Sequence, residues 1–307
     1  MKLASYKLKK ASGSFRVGFI ENEKVIDVQQ AYQDALISKG EHDTAYQIEQ
    51  NLPADPTAFF SLGFHALDKA NEAYKYIAGK NLGVERDEVL LGTPIPNPSK
   101  IICVGKNYAD HAAEMNSDIP EFPVLFAKFS NAIVGPEDAL EKPRLTNQLD
   151  YEVELGIVIG REASKVKREN AYDYIAGYTI GNDGSARDLQ FRTQQWLQGK
   201  NADRTTPIGP WIVTKDELTD AANLGIRSFV NGEKRQSSNT SKLIFDVPFL
   251  LEYITEIMTL KPGDIILTGT PDGVGAGMNP PQFLQAGDVV TVEIDQIGRM
   301  ENKVVEK

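Results

Sequence analysis

Asp150-Tyr151-Glu152-Val153-Glu154-Leu155-Gly156-Ile157-Val158-Ile159-Gly160 sets two carboxylates at the head of an otherwise apolar run. Aliphatic and β-branched residues at successive positions read as a strand buried on both faces. Side chains alternate along a strand, so Glu152 and Glu154 point the same way. A solvent-facing edge strand is the ordinary reading of an isolated Glu-x-Glu, and the apolar flanks argue against it here. In a buried strand two unpaired negative charges are costly, so something positive must compensate them. Asp183 follows another apolar run, Gly177-Tyr178-Thr179-Ile180-Gly181-Asn182, and can supply a third oxygen ligand from a neighbouring strand end. Three carboxylates suit a hard cation. Octahedral Mg²⁺ or Mn²⁺ held by Glu152, Glu154 and Asp183 keeps about three positions for water or a chelating substrate, which is catalytic in character.

Around this segment, strand signals dominate from residue 98 onward: IICVG, GYTIGND, WIVT, IRSFVNGE, DIILTGT and VVTVEID. Their density, broken by Asn-Gly and Pro-Gly turns, argues for a large mixed sheet. Residues 247–260 are apolar around Glu252, Tyr253 and Glu256 and read as a helix packed on that sheet, stopped before Pro262. Upstream, residues 14–28 alternate around Glu21-Asn22-Glu23-Lys24 as a β-hairpin, and residues 29–80 are helical, most clearly over 57–77. Pro94, Pro96 and Pro98 each fix their own φ and push the preceding residue away from helix. The expected class is therefore α+β, with a small N-terminal α+β cap over residues 1–93 and a catalytic domain over 94–307.

Other residues carry chemistry by context. His111 and Glu114 are three apart in a short helical stretch that Asn107 can cap, so they are neighbours on one face. Taken alone such a pair is most often a surface ion pair; as a dyad, the carboxylate would orient an imidazole acting as general base. Lys200 by itself reads as a surface lysine, or as a cation for a carboxylate or an enolate. Arg187 and Gln190 follow Asp183, and a turn there would aim both at the metal, suited to a substrate carboxylate or carbonyl. The loop 269–277 resembles a dinucleotide-binding fingerprint, but Met278-Asn279-Pro280-Pro281 stands where that motif needs a helix. Its glycines, with the Thr270 hydroxyl, serve either close approach to a small ligand or a purely structural turn.

Composition excludes several classes. At 307 residues with 41% hydrophobic and 25% charged content, the chain is long enough for one large and one small globular unit. A formal charge of -10 repels polyanions, so nucleic acid and anionic membranes are excluded as partners. Cys103, alone and inside an apolar run, rules out an intrachain disulfide or a cysteine metal cluster. No apolar run approaches the roughly 18 residues of a membrane span, and the first residues lack a signal-peptide core, which leads to the expectation of a cytoplasmic protein.

With these residues assembled, the chain resembles the fumarylacetoacetate hydrolase superfamily over residues 98–305. The carriers are VGKNYADHAAEM (104–115), LDYEVELGIVIG (149–160), AGYTIGNDGSARDLQ (176–190), KNADRTTPIGPWIV (200–213), VNGEKRQ (230–236) and LKPGDIILTGTPDGVG (260–275). The resemblance implies a mixed β-roll fold, homodimers, and Mg²⁺ or Mn²⁺ on Glu152, Glu154 and Asp183. It implies His111 and Glu114 as the dyad, Lys200 as a lid-side cation, and Arg187, Gln190 and Thr270 as substrate contacts, with Asn107 and Gly105 lining the same pocket. Its chemistry acts on small 2-oxo acids: hydrolysis of acylpyruvates and fumarylacetoacetate, decarboxylation of oxaloacetate, and isomerisation of hydroxymuconate-type dienes. The helical cap and the C-terminal segment look most like an oxaloacetate decarboxylase branch, the favoured expectation, with hydrolase and isomerase as alternatives and a non-catalytic metal-binding protein last. One departure is Gly184-Ser185, where relatives often carry a bulkier first residue.

Overall fold

Every residue of the strand Val153–Ile159 is buried, as its apolar sequence requires. The computed structural model describes residues 1–307, and in it this strand lies between Ile175–Asn182 and Ile265–Leu267, antiparallel to both. Alternation then divides its side chains between two cores. Leu155, Ile157 and Ile159 join a 34-residue cluster, and Val158 joins a 28-residue cluster on the other face. Each fully buried aliphatic side chain contributes about 1.5–3 kcal/mol of transfer free energy, so a charge on this strand survives only near its end, where Glu152 and Glu154 are.

The large sheet runs in the order Val84–Glu85, Lys24–Asp27, Arg16–Glu21, Lys2–Leu8, Thr206–Thr214, Ile175–Asn182, Val153–Ile159, Ile265–Leu267, Ile101–Gly105, Val124–Lys128. Ile265–Leu267 and Ile101–Gly105 pair in parallel while their outer neighbours are antiparallel, so the sheet is mixed. A second sheet contains Glu233–Asn239, Gly225–Val230, Val289–Ile294, Gly298–Glu306 and Leu140–Lys142. Ile226, Val290, Val292 and Ile294 from this second sheet meet Leu155, Ile157, Tyr178 and Ile180 of the first, with Leu250, Leu251 and Ile254 of the helix Val247–Ile257 closing the core. That helix begins where Asp246 accepts the Phe249 amide and ends three residues before the expected boundary. The α+β class and the mixed sheet agree with the sequence reading.

The expected hairpin is present as Arg16–Glu21 and Lys24–Asp27. The sequence reading missed the strand before it, Lys2–Leu8, which pairs with Arg16–Glu21 and with Thr206–Thr214. Ala4, Ser5 and Tyr6 are buried on both faces, so period-two alternation is masked there. Sheet and core thus run continuously across residue 93: Leu3, Phe19, Leu36 and Phe59 share a cluster with Val158, Ile212 and Leu267. The helix Phe64–Ile77 starts against the end of the central strand, where Phe64 N–H donates to Gly160 O. Gly63 has φ +56, and a Cβ there would lie 2.0 Å from Gly160 O, so both conformation and space demand glycine.

A candidate metal centre and its cavity

The ends of two adjacent strands assemble the carboxylates. Val153 pairs with Asn182, Asp183 N–H donates to Glu152 O at 2.9 Å, and Glu152 N–H donates to Asn182 Oδ1 at 2.9 Å. One oxygen each from Glu152, Glu154 and Asp183 then lies within 4.8 Å of the others, all three residues buried. Lys200 Nζ bridges Glu152 Oε2 and Asp183 Oδ2 at 2.7 Å each. Lys128 Nζ, fully buried, donates to Asp183 Oδ1 at 2.5 Å and to Gly184 O at 3.0 Å. Arg187 Nε donates to Asp150 Oδ2 at 2.9 Å, and its Nη2 lies 2.7 Å from Glu152 Oε1, an ion-pair contact whose angle is poor for a hydrogen bond.

Protonation follows from this layout. Burial pushes the Glu152 carboxyl up, but the Lys200 ammonium and Arg187 guanidinium outweigh it and hold the group well below the usual carboxylate range. Glu154 is pushed well above that range, first by burial and then by the charges of Asp183 and Glu152. Burial lowers Lys200, yet Asp183 and Glu152 carry it above the ordinary lysine value.

Whether a divalent cation fits can be judged from the charges. With every group ionised, Asp150, Glu152, Glu154 and Asp183 face Lys128, Arg187 and Lys200, four carboxylates against three cations, which leaves one negative charge in excess. The excess falls on Glu154, which makes no ion pair and accepts only the Gly269 amide, at 2.7 Å. A set of oxygen donors with an uncompensated buried carboxylate fits a hard cation.

A cavity of about 290 Å³ opens onto this centre. His111, Gly105, Arg187, Gln190, Lys200 and Thr270 line it, as do Glu152 and Glu154. His111 Nδ1 lies 3.3 Å from Glu114 Oε2, and Glu114 Oε1 accepts the Gly273 amide at 2.9 Å. Gln190 Oε1 accepts from Arg187 at 3.0 Å, and its Nε2 donates to no protein group. Thr270 Oγ1 accepts from Gln236 Nε2 at 2.7 Å, which leaves its own proton free. Phe126, Phe191 and Trp196 make the apolar wall. Gly105 admits Trp196: a Cβ there would meet the indole at 2.4 Å.

Asn107 is placed differently from the sequence reading. It does not cap the helix Ala109–Glu114, whose N-cap is Tyr108 without a side-chain hydrogen bond. Its side chain donates to Phe245 O and Thr268 O and accepts the Phe245 amide, so it is fully buried behind the cavity wall. The loop 269–277 wraps the carboxylates: Gly269 N–H reaches Glu154, Gly273 N–H reaches Glu114, and the Gly275 and Ala276 amides reach Asp150. Gly184 packs on the Thr205 carbonyl, where a Cβ would sit 1.9 Å away, and lies off the cavity wall. Sequence reasoning missed Asp150, Lys128, Gln236 and Lys106. Asp150 adjoins the Glu-x-Glu pair and could have been flagged; Lys128 and Gln236 reach the site from strands remote in sequence.

The family model described as fumarylacetoacetate (FAA) hydrolase C-terminal matches residues 100–305. The chain belongs to the fumarylacetoacetate hydrolase family. This fumarylacetoacetate hydrolase-family enzyme is 44% identical over 259 residues to the oxaloacetate tautomerase fahd2, mitochondrial, of Xenopus laevis, covering 84% of this chain and 80% of that protein. It is 49% identical over 221 residues to the oxaloacetate tautomerase YisK of Bacillus subtilis (strain 168), covering 71% of this chain and 73% of that protein. Among solved structures it resembles a maleylpyruvate hydrolase from Sphingobium sp. SYK-6 in complex with manganese (II) ion and pyruvate, with TM-score 0.76, 28% identity, and coverage of 100% of this chain and 99% of that one. No helix of the family member described here is long and apolar enough to cross a membrane.

Proposed function

We propose that this enzyme interconverts the keto and enol forms of oxaloacetate, with Mg²⁺ or Mn²⁺ on Glu152, Glu154 and Asp183. The carrying observation is that the buried acid centre and the His111–Glu114 pair open into one small cavity. The names of the relatives from Xenopus laevis and Bacillus subtilis support oxaloacetate as substrate and proton transfer as reaction. Bound there, the ion supplies Lewis acidity toward the C1 carboxylate and 2-oxo group of the substrate.

This chain's own residues do the rest. Gln190 Nε2 and the Thr270 hydroxyl are open donors for substrate oxygens near the acid centre. Glu114, fixed by the Gly273 amide, accepts the hydrogen bond of His111 Nδ1–H and leaves Nε2 as the base. Nε2 accepts a proton from C3; the C–H electron pair becomes the C2–C3 double bond, and charge develops on the 2-oxo oxygen. Return of that proton from Nε2 to the oxygen gives the enol and restores the base, and the reverse sequence gives the ketone. Lys200 and Arg187 hold Glu152 ionised, while Phe126, Phe191 and Trp196 give the cavity an apolar wall. The homodimer belongs to the same proposal.

A C–C cleaving reaction, by decarboxylation or by water attack, is the second reading. It is favoured by the solved maleylpyruvate hydrolase, whose pyruvate shares the 2-oxo acid head group. One experiment separates them: follow the ultraviolet enol signal of oxaloacetate and pyruvate release together, with Mg²⁺ or Mn²⁺ and with chelator, against the background of the ion alone. Accelerated equilibration of the enol without matching pyruvate supports tautomerisation. Stoichiometric pyruvate, lost in Glu152→Ala, would replace it with decarboxylation.

A further inference from the structure

The cavity wall carries one cation that the acid centre does not use. Arg187 is engaged by Asp150 and Glu152, and Lys200 by Glu152 and Asp183. Lys106 lines the same cavity, half-buried, and forms no ion pair; its ammonium donates only to Ser117 Oγ, at 2.6 Å. An ammonium has three N–H donors, so two remain available. Ser117 also lines the cavity, and its hydroxyl faces the Asp118 carbonyl at 3.3 Å, too long for a good O–H···O bond and free to turn toward a better acceptor.

The backbone is bent to put this side chain there. Gly105 ends the strand with Trp196 packed against it, and Lys106 then adopts φ +57, a left-handed conformation costly for any residue but glycine. The turn sends the next side chain, Asn107, into the core, while Lys106 is left on the cavity wall. Ser117 is fixed by its amide, which donates to Ala112 O at the end of the helix that carries His111.

We infer that Lys106 and Ser117 form a second anion subsite for the distal carboxylate of the substrate, which selects 2-oxo dicarboxylic acids over monocarboxylic ones of the same length. This rests on the reading that the C1 carboxylate and 2-oxo group are held at the acid centre, and it adds what recognises the other end. A charge-assisted hydrogen bond in a part-buried site is stronger than a neutral one, and every factor of ten in affinity is about 1.4 kcal/mol.

The test uses two stable C4 chelators that differ only at the far end, malate and 2-hydroxybutanoate, titrated into the Mn²⁺-loaded protein by calorimetry. Wild type binds malate about tenfold tighter. Lys106→Met removes that preference, Lys106→Arg keeps most of it, and Ser117→Ala lowers it a few-fold; thermal melts establish that each variant is folded. Equal affinity of wild type for the two acids, or an unchanged preference in Lys106→Met, overturns the subsite. The outcome is separable from the proposed reaction: malate preference in a protein that leaves oxaloacetate untouched would sink the tautomerase reading alone, whereas tautomerisation without the preference would sink the subsite alone.

Discussion

Glu152 and Glu154 are two positions apart on one polypeptide segment, yet the two ends of the acid centre are built from different materials. Around Glu152 and Asp183 the compensation is ionic, from three buried cations, Lys128, Arg187 and Lys200. Around Glu154 it is a single backbone amide from Gly269. One end is therefore complete without a ligand, and the other lacks positive charge. The difference locates where a divalent ion stabilises the fold most and explains why the two carboxyls are driven in opposite directions from their ordinary values.

The comparison breaks most visibly at its ionic end. Lys200→Met strips the ammonium from both Glu152 and Asp183, which keep only Arg187 and Lys128 respectively, and adds a second uncompensated negative charge to the buried cluster, so a loss of about 3–5 kcal/mol in stability is expected from urea unfolding; a loss below 1 kcal/mol would mean that the bridge is not what holds that end together. His111→Ala removes no ion-pair partner of either end and so bears mainly on chemistry. It should lower turnover roughly 10²–10⁴-fold while melting temperature and Mn²⁺ affinity stay near wild type. Normal turnover would remove the imidazole from the reaction.

Smaller effects sharpen the comparison at the Glu154 end. Saturating Mn²⁺ at about 100 times its dissociation constant should stabilise the chelator-treated protein by about 2.7 kcal/mol, read as a concentration-dependent rise in melting temperature. In the metal-free protein the folded-state value of Glu154 is raised above its unfolded value. Its contribution to stability is then fully present below the unfolded pKa and is lost as pH rises through the folded one. Glu154→Gln should therefore cancel that part of the pH dependence and make the metal-free protein more stable at neutral pH by about 1 kcal/mol. A destabilised Glu154→Gln would show the charge to be compensated already.

Much of this was legible in the sequence where chemistry is local. Glu152, Glu154 and Asp183 declared themselves because carboxylates inside apolar strands need a partner, and His111 and Glu114 because helical spacing makes them neighbours. What resisted reading depends on which strands lie side by side. Lys128 meets Asp183 across 55 positions, and nothing near Leu125-Phe126-Ala127-Lys128 marks that lysine as buried. The glycine loop read as an open choice between ligand contact and structure, and its amides turn out to be spent on Glu154, Glu114 and Asp150. Asn107 read as a helix cap because Asn favours that position, whereas its amide ties the cavity's back wall to Phe245 and Thr268. Lys2–Leu8 was invisible because burial on both faces erases alternation.

The most direct test of the central claim is a calorimetric titration of Mn²⁺ into chelator-treated protein, wild type beside Glu154→Gln, with melts run in parallel. The charge excess predicts one ion per chain for wild type and no measurable binding for a variant that is folded and, without metal, at least as stable. Equal Mn²⁺ affinity in the two proteins would contradict it, and would place the ion, and with it the proposed chemistry, somewhere other than the Glu152–Glu154–Asp183 centre.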